Sequence, residues 1–418
     1  MKWMLLCKLF LYKFLAKLIP WRKAKFLYKS HKYYVKLHPV RYQGYNYVSH
    51  YEESQDFSNC RSDIKTFVYY LPQFHIIEEN NAWWGKNFTE WTNTTKSLPY
   101  LKNHYQPRTP HKDIGYYDLS DADTIRRQAA LAKSNGIFGF CIYYYWFSGK
   151  KLLEKPLDLI LANLDIDLTF CLCWANESWG RSWTGRDKEF LIEQKYLDSD
   201  PLHFIEDLAP YLRDKRYFRK NGKPVILIYR TMDIPNQEKT FKIWRDFCLA
   251  NEIGEIEIWA VRAHLSSVDF SFGSLVDREV EFPPHQCTDV KISAFDIGAD
   301  NLMLDYHEIS EAIMDKNLTY NFPDYPIVRT AMLGWDNSAR KKKGAVIFNN
   351  FSLYQYFKWL RYLIGYTREQ FAENDRYLFI NAWNEWAEGT YLEPDEKYGY
   401  ASIKLHCQFN CATSCKKA

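Results

Sequence analysis

From residue 62 onward, short and nearly continuous apolar runs alternate with amphipathic stretches. Such runs suit parallel strands covered on both faces, which need no polar side. They predict strands at 66–75, 137–147, 169–177, 223–230, 256–263, about 274–282, 326–336 and 376–386. Helices are predicted between most of them, at 121–134, 154–164, 201–214, 237–251 and 351–365. In the first helix Ser120 and Asp123 read as a capping box, Ile125, Ala129 and Ala132 mark the apolar face, and Gly136 follows the end. Eight strands alternating with helices predict an α/β fold, a (β/α)8 TIM barrel with long βα loops. A doubly wound open sheet is the competing architecture, but neither G-x-G-x-x-G nor a P-loop sequence supports it.

Residues 1–20, MKWMLLCKLFLYKFLAKLIP, follow a different rule. On a helical wheel Lys2, Lys13 and Lys17 cluster within about 60°, with only Lys8 off that side. The lysines interrupt the apolar run and no small-residue cleavage site follows, which makes a poor secretory signal. Eleven of the 55 Lys and Arg residues lie in 1–41, whereas the first acidic residue is Glu52, so the remainder is net negative. A basic amphipathic helix of this kind suits the interface of an anionic cytoplasmic leaflet, with docking on the body as the alternative. Recurring lysines argue against a spanning helix, and no nucleic-acid reader module accompanies the basic tract. The expected organisation is a basic amphipathic extension over 1–61, a barrel over 62–400 and a tail over 401–418. The expected location is cytoplasmic, peripheral on the inner face of the membrane.

Composition narrows the class further. The 418 residues are 47% hydrophobic and 25% charged, which excludes a disordered, collagen-like or disulfide-stapled chain. Aromatic residues reach 18%, with 15 Trp, 32 Tyr and 27 Phe, a content suited to sugar rings or membrane interfaces. Of ten cysteines, Cys141, Cys171 and Cys173 fall inside apolar runs and read as buried, reduced thiols.

In a barrel, chemistry gathers at the C-terminal strand ends. Here those ends carry Gln73 and His75, Tyr144, Tyr145 and Trp146, Trp174, Asn176 and Glu177, Tyr229 and Arg230, Trp335 and Asp336, and Trp383, Asn384, Glu385 and Trp386. Glu385 and Glu388 stand three apart, so both carboxylates can face one cavity. Glycosyl chemistry uses such a pair, one as proton donor and the other as nucleophile or base, at about 5 Å for retention and about 6.5–9.5 Å for inversion. Two close carboxylates also push one pKa upward. The plain alternative is a pair of Glu residues complementing a helix N-terminus.

Each supporting residue has two readings. Trp174, Trp335 and Trp386 are candidate sugar platforms or loop packing. Asn176 and Glu177 are candidate hydroxyl binders, since they end an apolar strand and would otherwise lie desolvated. His75 is a hydroxyl binder or a satisfied core histidine, and Arg230 and Asp336 contact a donor phosphate or pair with neighbours. Tyr144, Tyr145, Trp383 and Asn384 complete the candidate binding set. No cofactor and no metal are expected. The D-x-D triplets at 165–167 and 198–200 lie away from the rim, and His406, Cys407, Cys411 and Cys415 lack a second pair at zinc-ligand spacing.

The segments Y-Y-L-P-Q-F-H (69–75), W-W-G-x-x-F-T-E-W (83–91), H-x-D-I-G-Y-Y-D (111–118), Y-Y-Y-W-F (143–147), W-A-N-E (174–177), G-W-D-N-S (334–338) and N-E-W-A-E-G-T-Y-L-E-P (384–394) together resemble the WbsX-type glycosyltransferase family. Its members are linked to bacterial O-antigen and capsule biosynthesis and are related to the family 99 glycoside hydrolases, the endo-α-mannosidases. The resemblance covers roughly residues 62–400. It implies that Glu385 deprotonates a sugar 2-hydroxyl and that Glu388 is the general acid/base, with Ala387 standing where the hydrolases usually carry His. The implied function is glycosyl transfer in surface-polysaccharide assembly, with a glycan, an activated sugar donor and a lipid-linked acceptor as partners. The alternatives are a retaining endo-glycosidase and a non-catalytic glycan-binding barrel.

Overall fold

A computed structural model describes residues 51–57, 62–100, 104–180, 190–263, 271–285, 295–296, 301–314, 323 and 325–410, together with six scattered positions among the first fifteen. Most of the basic extension and the end of the tail, with Cys411 and Cys415, lie outside the described residues.

All eight expected strands are present: β1 (Lys65–Tyr70), β2 (Gly139–Phe147), β3 (Phe170–Trp174), β4 (Lys223–Ile228), β5 (Glu257–Val261), β6 (Arg278–Val280), β7 (Arg329–Met332) and β8 (Tyr377–Asn381). From β1 to β6 each strand pairs in parallel with the next in chain order, β7 pairs with β8, and β8 pairs with β1. Val280 and Val328 close the ring through a parallel bridge, with Glu281 N–H donating to the Val328 carbonyl at 2.9 Å. The barrel is therefore complete. At this short seam buried ion pairs replace long ladders: Arg329 meets Glu281 at 2.7 Å, and Arg262 pairs with Glu279.

The helices packed around the strands include α1 (Ala122–Ser134), α2 (Lys155–Ala162), α3 (Asp200–Arg213), α4 (Gln237–Ala250), α5 (Tyr306–Met314), α6 (Leu353–Gln370) and, after β8, α7 (Ala401–Asn410). The cap of α1 differs from expectation. Asp121, not Ser120, is the N-cap, its carboxylate accepting from Asp123 N–H at 3.0 Å. Pro156 and Pro201 stand in the first turns of α2 and α3, where a missing N–H costs nothing.

Strand parity sorts the side chains. Phe67 stacks against Phe379 inside the barrel and Tyr69 against Tyr143, while alternate residues such as Tyr144 and Trp146 face Phe204 of the helical layer. Cys141, Cys171 and Cys173 are buried and reduced. Among the described residues no helix is long and apolar enough to cross a membrane.

Candidate active site

Beyond β8 the chain makes a tight hairpin, Asn384–Glu385 pairing with Thr390–Tyr391 around a 3₁₀ turn at Trp386–Glu388. In 3₁₀ geometry residues three apart eclipse, which carries Glu385 and Glu388 to one side. Gly389 ends the turn in the left-handed region at φ 66°, where a Cβ would meet Arg108 Nη2 at 2.8 Å. Asn384 pins the hairpin to the end of β1: its Oδ1 accepts from Leu71 N–H at 2.8 Å and its Nδ2 donates to the Leu71 carbonyl at 3.0 Å. Asp336 N–H donates to the Glu388 carbonyl at 2.6 Å, tying the β7 loop to the same turn.

Both carboxylates open into a cavity of about 690 Å³ at the C-terminal strand ends. Tyr143 and Tyr145 of β2, Tyr229 after β4, and Phe282 and His285 after β6 form part of its wall. Trp84, Trp179 and Trp335 add indole surface. Tyr229 and His285 hold each other through a hydrogen bond of 3.0 Å.

Arg340 is the centre of the site. Its Nη2 meets Glu385 Oε2 at 2.7 Å, its Nη1 meets Glu388 Oε1 at 2.6 Å, and its Nε meets Glu90 Oε1 at 2.7 Å. One guanidinium thus serves three carboxylates. The Glu90 side chain is fully buried and Glu385 is 6% exposed, whereas Glu388 is 21% exposed and reaches the cavity. Burial pushes the Glu385 carboxyl up, with Glu388 and Glu90 adding to the rise and Arg340 opposing it. Burial likewise raises Glu388, Arg340 opposing and Glu90 adding. Burial would lower the pKa of Arg340, but the surrounding carboxylates hold it well above the ordinary value. Such a group keeps a proton on a carboxyl at neutral pH and leaves the other able to act as base or nucleophile.

The sequence-predicted residues divide into two sets. Glu385, Glu388, Tyr145, Glu177 and Trp335 line the cavity. Glu177, raised by burial, pairs at the rim with Arg230 at 3.0 Å, and Arg230 also pairs with Asp233. The others do not line it. Tyr144 points outward between Phe204 and Tyr211, and Trp174 packs on Phe204 and donates to the Trp146 carbonyl. Asn176 bridges Tyr196 and the Arg230 backbone. Trp383 is buried against Phe140, and Trp386 stacks on Tyr391 at 3.8 Å. His75 is buried with Nδ1 2.9 Å from the Pro72 carbonyl. Asp336 accepts from Gln106 Nε2 and meets His104 Nε2, both at 2.7 Å, and against burial His104, Arg108 and Ser338 bring its carboxyl down to about 2.

Sequence reasoning missed Arg340, which follows G-W-D-N-S by two residues, and the role of Glu90 within its own motif. It also chose Tyr144 over Tyr143. Alternation along β2 would have separated them, since residues flanking Tyr145 by two share its face. The D-x-D at 165–167 belongs to the surface, where Asp165 meets Arg126 at 2.7 Å and Asp167 pairs with Lys133. Asp200 accepts from Ser148 and the Leu197 backbone. Among the described residues no cluster of three His, Cys, Asp or Glu side chains could hold a metal ion.

A family model described as Glycosyltransferase WbsX matches residues 66–405. Two curated relatives from strains of Xanthomonas campestris pv. campestris, both called uncharacterized protein WxcX, are 41% identical over 340 residues, covering 80% of this chain and 48% of theirs. The chain thus spans about half the length of the curated relatives it matches. A solved glycoside hydrolase-like protein is 14% identical with a TM-score of 0.51 over 87% of this chain and 98% of its own, a likeness of fold alone. A GH99 endo-alpha-mannosidase from Bacteroides thetaiotaomicron overlays less closely, at 12% identity and TM-score 0.47 over 82% of this chain and 96% of its own.

Proposed function

This chain belongs to the WbsX glycosyltransferase family, and on that premise we propose that it transfers a glycosyl group in the assembly of bacterial cell-surface polysaccharide, O-antigen or capsule. The observation that carries the reading is the buried guanidinium of Arg340 spanning Glu385 and Glu388 at the wall of an aromatic cavity. Glu388, the more exposed, exchanges protons with the departing or accepting oxygen. Glu385 lies deeper, close enough to Tyr143 and Tyr145 for its charge to affect both phenols, and acts on the sugar itself, as base toward its 2-hydroxyl. Tyr145, Glu177, Trp335 and Trp179 supply the polar contacts and ring faces that a saccharide needs. Tyr144, Trp174, Asn176, Trp383, Asn384, Trp386, His75, Arg230 and Asp336 act behind this surface by fixing it.

The acceptor in this account is lipid-linked. Residues 1–41 hold the protein peripherally on the inner face of the membrane through their eleven cations, and 62–400 form the working unit between that extension and the tail. Hydrolysis is the second reading, because the same carboxyl pair would serve equally with water as acceptor. Incubating the protein with activated sugars plus lipid-linked acceptor, and separately with α-linked oligosaccharides in water, decides between them. A lengthened acceptor supports transfer, and shortened oligosaccharides alone refute it. Glycan binding with no product in either arm leaves a binding barrel and removes both enzymatic readings.

A further inference from the structure

One carboxylate of the cluster lies out of a sugar's reach. The Glu90 side chain is 0% exposed and does not line the cavity. Its Oε1 meets Arg340 Nε at 2.7 Å, while Oε2 is buried with no hydrogen-bond partner among the described residues. A carboxylate desolvated in this way costs stability, and the hydrogen bond it makes in return goes to Arg340.

Glu90 is rigidly mounted. It opens the short helix Glu90–Thr95, its N–H donates to the Gln73 carbonyl beyond β1 at 3.0 Å, and its carbonyl accepts from the Thr94 hydroxyl at 3.2 Å. Next to it, Trp91 donates to the Tyr117 carbonyl at 2.8 Å and packs on Trp386 of the 3₁₀ turn, with ring centres 5.5 Å apart. Arg340 enters from the loop after β7, where its N–H donates to the Asn337 carbonyl at 3.1 Å. A guanidinium favours meeting one carboxylate through two parallel N–H donors. With Nε committed to Glu90 the plane of the group is set, and Nη2 goes to Glu385 while Nη1 goes to Glu388.

We propose that Glu90 is a positioning residue for the reaction: by holding Arg340 at Nε it makes one cation span Glu385 and Glu388, and keeps that cation from closing on either carboxylate alone. The proposal rests on the reading of Glu385 and Glu388 as the reacting pair and adds a third carboxylate that never meets substrate. Glu90 also acts through its charge, raising both Glu385 and Glu388, while Arg340 opposes the rise at both and Lys341 opposes it at Glu388. Tyr143 and Tyr145 lie within electrostatic reach of Glu385, Tyr229 of Glu388, and Lys96 of Glu90. An amide at position 90 keeps an oxygen for Nε–H and removes the charge, which separates the two effects.

The test compares Glu90→Gln and Glu90→Ala in the full chain. Glu90→Ala should lower kcat about 10²-fold with KM within a few fold of native, and Glu90→Gln should restore roughly a tenth or more of the native kcat. In Glu90→Gln the pH profile should move to lower pH by about one unit, because loss of a neighbouring negative charge eases ionisation of both carboxyls. Carbon-13 NMR of glutamate-labelled protein reads the same shift without turnover, with Glu385→Gln and Glu388→Gln identifying the two resonances. Unfolding curves and glycan affinity close to native identify the folded variants. A merely structural Glu90 would change the amount of folded protein and leave kcat per folded molecule and the pH profile in place. Carboxyl titrations unchanged in folded Glu90→Gln overturn the positioning role, and so does native kcat in Glu90→Ala. Native turnover in both Glu385→Gln and Glu388→Gln instead overturns the carboxylate reading, while the titrations still show whether Glu90 governs the pair.

Discussion

Trp386 donates its indole N–H to Glu393 Oε2 at 2.7 Å. The same carboxyl accepts from Tyr117 at 2.9 Å and from Gln128 at 2.7 Å, so Glu393 is surrounded by neutral donors at 1% exposure. It fixes the residue between Glu385 and Glu388 from below, without touching the cavity.

Burial lifts the Glu393 carboxyl from an ordinary 4.5 to about 7, with Trp386, Gln128 and Tyr117 opposing the rise. A folded-state value above the unfolded one means the native chain binds the proton more tightly. The resulting stabilisation is present in full below about 4.5 and is lost as pH rises to about 7, a change on the order of 3 kcal/mol. Urea unfolding from pH 5 to 8 should show that decline in the native chain and a flatter profile in Glu393→Gln. At pH 5, where the native carboxyl holds its proton, the variant should be weaker by about 1–3 kcal/mol, because an amide has one oxygen for three donors, and the gap should close toward pH 8. Parallel profiles would remove Glu393 as the titrating group.

Arg340→Met leaves three buried carboxylates without a cation. Removing one partner of a buried ion pair costs about 3–5 kcal/mol, and the loss should be largest at high pH, where the raised carboxyls of Glu385 and Glu388 ionise, and shrink toward pH 5. Arg340→Lys restores charge but cannot span both Glu385 and Glu388, so it should recover stability better than turnover. Equal thermal shifts at pH 5 and pH 8 would contradict this.

The ring of strands was legible because each is a nearly continuous apolar run. The sixth is only three residues long, yet its partner Val328 lies within the seventh predicted run. The carboxylate pair was legible too, from spacing in a single segment. What escaped were contacts across the chain: Arg340 reaches Glu90 at a separation of 250 residues, and no local pattern encodes such a meeting. Aromatic residues misled in the opposite direction. Trp174, Trp383 and Trp386 end strands as rim platforms would, but their large faces are taken up by neighbouring rings.

Residues 51–57 include a strap on the barrel's end. Glu52 accepts from Tyr400 N–H at 2.8 Å and meets Lys404 at 2.6 Å. Gly399, at φ 57°, lies so close that a Cβ there would stand 2.2 Å from the Glu52 carbonyl oxygen. Gly399→Ala should therefore loosen the strap and cost about 1–3 kcal/mol. Limited proteolysis should cut near residue 57 faster in the variant, and unchanged cleavage would refute the contact.

Deleting residues 1–41 removes eleven cations. The truncated chain should leave the membrane fraction and fail to sediment with anionic vesicles, with its unfolding curve little altered. Unchanged sedimentation would remove the membrane role assigned to the extension.

The most direct measurement pairs turnover with glycan affinity in Glu385→Gln and Glu388→Gln. Each substitution should lower kcat by about 10²–10⁴ while oligosaccharide binding stays within a few fold of the native chain. Should both variants turn over at the native rate, the two carboxyls held by Arg340 take no part in the chemistry.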